Sequence, residues 1–195
     1  MAHADLIRLH RHSLVHLLLV GGGARERARL ALAFHRGSLL GRGPFVRLAG
    51  PRDEERLRCA LECALFAVRC WRPDSPLLAS DGGTLFVDHV ARLSPATQRL
   101  LLSFLAATGG ERAGGWFGRL AVGSAEPPEA AAAAGRLLPA LYDMLDKIRV
   151  ELDPWPGFSA RARRPSRAAP PNLPPRPARA LPRASAACGP RRSRG

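Results

Sequence analysis

The chain has 195 residues, 46% of them apolar, and a formal net charge of +14, a size and composition suited to one globular domain with or without a tail. No apolar run reaches the roughly 18 residues that a membrane-spanning helix needs. No cleavage site of the signal-peptide kind follows the first apolar run, so the expectation is a cytoplasmic protein that does not enter membranes.

Residues 1–13 are polar and His-rich (His3, His10, His12), and a frayed lead-in is expected there. Between residues 14 and 153 short apolar runs alternate with stretches of helical periodicity. Strands are predicted over Leu14–Val20, Phe45–Leu48, Thr84–Asp88, Phe117–Val122 and Ile148–Leu152, each bounded by Gly, Pro or charge as buried parallel strands tend to be. Helices are predicted over Arg25–Arg36, Glu54–Val68, Pro95–Ala107 and Glu129–Asp146; Ser94-Pro95 supplies an N-cap followed by proline at the first helical position. Strands alternating with helices predict an α/β fold, a parallel five-stranded sheet flanked by helices. Beyond Pro154 the pattern ends. From Pro154 onward lie ten of the 18 prolines, with no Val, Ile, Met, Thr, Tyr or Lys, and a segment with so little to bury is expected to be disordered. The predicted division is therefore 1–13 lead-in, 14–155 folded core and 156–195 basic tail.

The positive charge belongs to that tail. Ten arginines and no acidic residue follow Pro154, which leaves +4 for the rest of the chain. One lysine against 29 arginines is also the skew that a GC-rich coding sequence produces. The four cysteines, Cys59, Cys63, Cys70 and Cys188, have no second pair at zinc-ligand spacing and are expected to be reduced thiols.

Two motifs bear on chemistry. The first strand runs into Gly21-Gly22-Gly23-Ala24-Arg25-Glu26-Arg27-Ala28, and a glycine turn entering a helix is a natural anion cradle because unpaired N–H groups point outward. A working phosphate loop reads G-x-x-x-x-G-K-[ST]. Here Glu26 stands at the second glycine, Arg27 at the lysine and Ala28 at the hydroxyl residue; a turn that merely joins strand to helix is the plainer alternative. The second motif, Asp81-Gly-Gly-Thr-Leu-Phe-Val-Asp88-His89, ends a strand on an acid, which is where such enzymes hold magnesium. The next position, which should carry a water-polarising carboxylate, is His89.

These pieces resemble the AAA+ ATPase domain of sigma-54-dependent transcriptional activators. Asp81–Asp88 is close to the family's ADGGTLFLDE, Gly43-Pro-Phe-Val-Arg-Leu48 to GPFVxVN, and Leu93-Ser-Pro-Ala-Thr-Gln-Arg-Leu-Leu101 to the helix after the magnesium strand. Leu141-Tyr142 through Ile148-Arg-Val-Glu-Leu152 is similar to the stretch LYYRLNVxxIxLPPL. The resemblance covers about residues 14–155 and implies a P-loop NTPase-like sheet. It also implies vestigial nucleotide contacts at Gly21, Gly22, Gly23, Arg25, Glu26, Arg27 and Ala28, and a vestigial magnesium position at Asp88.

The departures fall on the catalytic parts. No sensor asparagine occurs near Ser124-Ala125, the arginine-finger positions are Leu138 and Met144, and the sigma-factor loop expected between Leu65-Phe66 and Asp81 is read as deleted. No helical lid of the kind that follows the last strand in that family is expected from residues 153–195. Several elements of a phosphoryl-transfer site are thus lost together, when one transition-state arginine is worth about 10³–10⁵ in rate. No catalytic residue is expected.

The expectation is a pseudo-ATPase acting through contacts with AAA+ relatives or the sigma-54 machinery, without forming its own ring. Three alternatives stay open: a regulator that still holds ATP and magnesium weakly, a tail that binds nucleic acid without reading sequence, and a relic whose tail is read out of frame.

Overall fold

The computed structural model describes residues 3–66, 74–108 and 116–152. Two compact units divide the chain, Met1–Ser159 and Ala160–Gly195, and all described residues lie in the first. The predicted disorder of the tail, and its predicted affinity for nucleic acid, lie outside the described residues. So does half of the interval in which the sigma-factor loop is read as deleted, residues 67–73.

In chain order the elements are α1 (His3–Leu9), β1 (Leu17–Gly21), α2 (Ala24–Arg36), β2 (Phe45–Leu48), α3 (Glu54–Phe66), α4 (Pro76–Ala79), β3 (Thr84–Val87), α5 (Pro95–Thr108), β4 (Arg119–Ser124), α6 (Pro128–Ala133), α7 (Pro139–Leu145) and β5 (Ile148–Leu152). Single 3₁₀ turns at Gly50–Arg52 and Val90–Arg92 follow β2 and β3. The five strands form one parallel sheet in the order β2-β3-β4-β1-β5.

Side-chain alternation divides the core between the two faces of that sheet. Leu18, Val20, Leu85, Val87, Leu120 and Val122 meet the apolar stripes of α3, α5 and α7, including Leu61, Phe104, Leu105 and Leu141. Leu17, Leu19, Phe86, Ala121, Ile148 and Val150 pack on the other face against Ala31 and Phe34 of α2. With both faces covered, the strands read as continuous apolar runs, and Leu17, Leu18 and Leu19 are each at most 1% exposed.

The structure departs from the sequence reading at several points. The lead-in forms the helix α1, whose Ile7 packs on the α2 side of the core; one apolar contact and the buried Arg119, whose guanidinium donates to the Ser13 carbonyl, hold what composition alone left loose. Strand β1 begins three residues later than predicted, and β4 lies two residues further on because Trp116, preceding it, turns inward to donate from its indole Nε1 to Ser80 Oγ at 3.1 Å. The predicted helix over 129–146 is two helices. Gly135 at φ 70° ends the first and Pro139 opens the second, and the freed backbone is bonded by Gln98, which is 1% exposed. Its amide donates to the Leu93 and Arg136 carbonyls at 2.9 and 2.8 Å and accepts from Leu138 N at 2.9 Å. Finally, Cys63 is disulfide-bonded where a reduced thiol is expected, because pairing depends on which cysteine folding brings near and spacing does not encode that. Cys59 is a free thiol. Among the described residues no helix is long and apolar enough to cross a membrane.

Candidate functional site

Ligands of open parallel sheets sit at the carboxyl ends of the strands, where the strand order reverses. Here that reversal is at β1, whose neighbours are β4 and β5. Gly21, Gly22, Asp88 and Gly123 converge at this end from β1, β3 and β4.

Gly21 and Gly22 both take positive φ, 82° and 55°, a pair of left-handed residues that only glycine adopts readily. A side chain at Gly21 would meet the Leu152 carbonyl oxygen at 2.6 Å. The result of this turn is that the carbonyl oxygens of Gly21 and Gly22 face Arg27, at the end of the first turn of α2. Both accept from Arg27 Nη1 at 2.8 Å.

The rest of the Arg27 guanidinium spans to the tip of β3. Nε donates to Asp88 Oδ1 at 2.7 Å, and Nη2 lies 3.1 Å from Asp88 Oδ2 and 3.4 Å from His89 Nε2. A guanidinium carries five N–H donors, and five acceptors surround this one. Both members of the pair are 1% exposed. Asp88 Oδ1 also accepts from the backbone N–H of His89 at 3.0 Å. His89 is held at φ 57°, among the described residues the one non-glycine with positive φ. Burial, then the charge of Arg27, holds its imidazole below the usual range despite Asp88; as the neutral tautomer protonated at Nδ1, it accepts from Arg27. Room for the ion pair comes from Gly123 in β4, where any Cβ would collide with Asp88 Oδ1 and stand 3.0 Å from Arg27 Nε.

Glu26 turns back over the start of its own helix. Its carboxylate accepts from Gly23 N at 3.3 Å, and a Cβ at Gly22 would meet it at 2.7 Å. An acidic side chain thereby occupies the helix N-terminus that would attract a phosphate.

Magnesium and a triphosphate do not fit this arrangement as it stands. Both carboxylate oxygens of Asp88 are engaged by Arg27, carbonyl dipoles of the turn point inward in place of N–H groups, and Glu26 adds negative charge at the cradle. Among the described residues no group of three or more His, Cys, Asp or Glu side chains gathers to hold a metal.

Of the sequence candidates, the structure brings Gly21, Gly22, Arg27, Asp88 and His89 into one cluster and sets Gly23 and Glu26 at its rim. Arg25 and Ala28 lie elsewhere. They line a shallow groove of about 370 Å³ with Arg29, Leu32, Phe45 and Arg47. Ser124, near the sensor position, is buried and donates to the Glu126 carbonyl at 2.6 Å. With His89, Ala91, Arg92, Ala125 and Glu126 it lines a cleft of about 260 Å³. Leu138 and Met144, at the arginine-finger positions, pack against the core.

Sequence reasoning treats Arg27 and Asp88 as two separate ligands and misses that they bind each other. The available signal is their opposite charge at two positions that the fold makes adjacent. Gly123 is missed too, although a glycine inside an apolar strand signals close approach.

This geometry sits in a known framework. NtrX from Brucella abortus in complex with ATP superposes with a TM-score of 0.61 and 23% identity, over 76% of this chain and 35% of that one. The fold is that of an AAA+ P-loop NTPase. The P-loop NTPase domain of the Sigma-54 transport activator from E. coli matches at TM-score 0.55 and 16% identity, over 76% of this chain and 90% of that one. A single-residue variant of RuvB from Thermotoga maritima reaches 0.51 at 18% identity, covering 76% and 41%. The chain spans about a third of the NtrX length. No protein-family model matches the sequence, and no curated protein matches it. At these identities the likenesses establish the fold.

Proposed function

We propose that this chain is a pseudo-ATPase, an AAA+ core related to sigma-54-dependent activators that regulates transcription through protein contacts and not through turnover. The observation that carries this reading is the buried Arg27–Asp88 pair, in which the residue at the phosphate-loop lysine position and the residue at the magnesium position satisfy one another. Opening the pocket would strip a carboxylate and a guanidinium of their partners inside a low-dielectric core, a cost of several kcal/mol that a bound nucleotide would have to overcome. His89, with no proton-accepting nitrogen left unengaged in the neutral tautomer, is a poor water-activating base. The partners on this reading are intact AAA+ relatives or the sigma-54 machinery, in the cytoplasm. On this reading the core is 14–155, preceded by the 1–13 lead-in whose helix α1 packs on it and followed by the basic tail at 156–195.

Calorimetric titration of the purified protein with Mg-ATP into the millimolar range, together with a phosphate-release assay, tests the reading. No heat and no release are expected. ATP cleavage that disappears in the Asp88→Asn variant would overturn it. Co-purification with an active sigma-54 activator tests the partner assignment, which a strictly monomeric, non-interacting protein would contradict.

A further inference from the structure

The groove between α2 and the edge strand β2 has no place in the pocket just described. Its walls are Arg25 and Arg29, one helical turn apart on α2, and Arg47 on β2; its floor is Ala28, Leu32 and the half-buried Phe45. All three arginines are exposed, and among the described residues none of them forms an ion pair or a side-chain hydrogen bond. The lining contains no Asp or Glu. The nearest acid on α2, Glu26, is turned away to Gly23 N. Elsewhere on the molecule the arginines of α3 and β5 do find carboxylates, as Arg58 does with Glu55 and Glu62, and Arg149 with Glu129 and Glu151.

Three like charges around one apolar trough repel one another unless something anionic lies between them. The floor narrows the choice of occupant. Phe45 has two ring neighbours, Phe86 with centroids 6.4 Å apart and nearly parallel planes and His35 at 5.4 Å, and its half-buried ring gives the groove an aromatic surface. Cations spaced along a groove with an aromatic floor match a chain whose anionic groups recur along a backbone and whose flat apolar groups hang from it. We propose that this groove binds single-stranded nucleic acid, with Arg25, Arg29 and Arg47 on successive phosphates and bases lying over Leu32 and Phe45. The chain's own tail, net positive throughout, is excluded as the occupant by its charge. The net charge of +14 steers any polyanion toward the molecule.

The full chain and its Arg25→Gln/Arg29→Gln/Arg47→Gln variant are compared by fluorescence anisotropy with labelled oligo(dT) across a salt series. Tail contacts contribute equally to both proteins. Losing three phosphate contacts lowers the slope of log K against log salt by about 2, since each contact on a single strand contributes ~0.7. At ~0.1 M salt that corresponds to roughly a hundredfold weaker binding. All three side chains are exposed, so the variant should melt with the wild type, and matching melting curves confirm it. Equal slopes and equal affinities would overturn the proposal. So would a variant that binds oligo(dT) normally yet loses affinity for labelled oligoglutamate, because that assigns the groove to an acidic peptide.

Discussion

The ion pair at the mouth of the pocket makes a quantitative demand on stability. Asp88→Leu removes the counter-charge from a guanidinium that is 1% exposed, and Arg27→Met strands the carboxylate in the same way. Breaking a buried pair from one side costs about 3–5 kcal/mol. In a domain of this size each kcal/mol lowers the melting temperature by roughly 2–4 °C, so each single variant should melt about 6–20 °C below the wild type. The double variant Arg27→Met/Asp88→Leu leaves no charge uncompensated and should lose far less than the sum of the two. The difference, read by a double-mutant cycle in urea, is then a coupling energy of several kcal/mol. Circular dichroism supplies the unfolding curves, and the same curves with saturating Mg-ATP supply the control. A ligand present at ~100 times its dissociation constant would add about 2.7 kcal/mol; no shift is expected for the wild type. Single variants that each cost under about 1 kcal/mol, or additive losses in the double variant, would refute the claim that the pair fills and closes this site.

Three further outcomes follow from the same structure. Gly123→Ala drives a methyl group into Asp88 Oδ1 and toward Arg27 Nε, and overpacking of this kind should cost about 1–3 kcal/mol in urea unfolding, falling sharply in a background that already carries Arg27→Met/Asp88→Leu. Gln98→Leu, at the break between α6 and α7, leaves two carbonyls and one N–H without their partner; a loss of about 1–3 kcal/mol is expected, with amide exchange rising first at residues 136–138. Acidification should destabilise the fold through His16 and His35. Burial, reinforced by the charge of Arg119, holds both below their ordinary value of 6.5, so the unfolded chain binds protons that the folded one refuses. Their stabilising contribution is complete above pH 6.5 and declines as pH falls below it toward the depressed folded values. A melting temperature flat from pH 7 to 5 would contradict this.

Much of the fold was legible because its strands are buried on both faces. Leu17-Leu18-Leu19 and Leu85-Phe86-Val87 present apolar side chains whichever way they point, so a continuous run between Gly, Pro or charged residues marks them without any register argument. What escaped was decided by single tertiary contacts. Trp116 looked like a residue flanking a strand until its indole found Ser80 Oγ, and that inward turn moved the start of β4. The α6–α7 break shows the same limit. Gly135 and Pro139 signal a stop and a start, yet a run of alanines between Ala130 and Ala134 reads as unbroken helix unless Gln98 is known to sit opposite. The candidate site was legible as a position and not as an arrangement. Residue types placed Arg27 and Asp88 at the right ends of the right elements, while the direction in which a flexible guanidinium turns depends on what else is there to receive it.

That direction follows from the geometry of the side chain. A lysine in the place of Arg27 would carry a compact charge with three donors, strongly hydrated and indifferent to the orientation of its partner. A guanidinium carries its donors in a planar fork, and here the fork finds Asp88 on one edge and two glycine carbonyls on the other. Those carbonyls are available because Gly21 and Gly22 both adopt positive φ, so the flexibility that could let a glycine loop wrap an anion serves equally to wrap a cation. Once Arg27 is seated, each remaining departure fits the same pocket. His89 accepts the last donor, Glu26 caps the N-terminus of α2, and Gly123 leaves the volume. The carboxyl end of the sheet is thus electrically closed by its own side chains, and a buried Asp88 needs no metal ion to balance it.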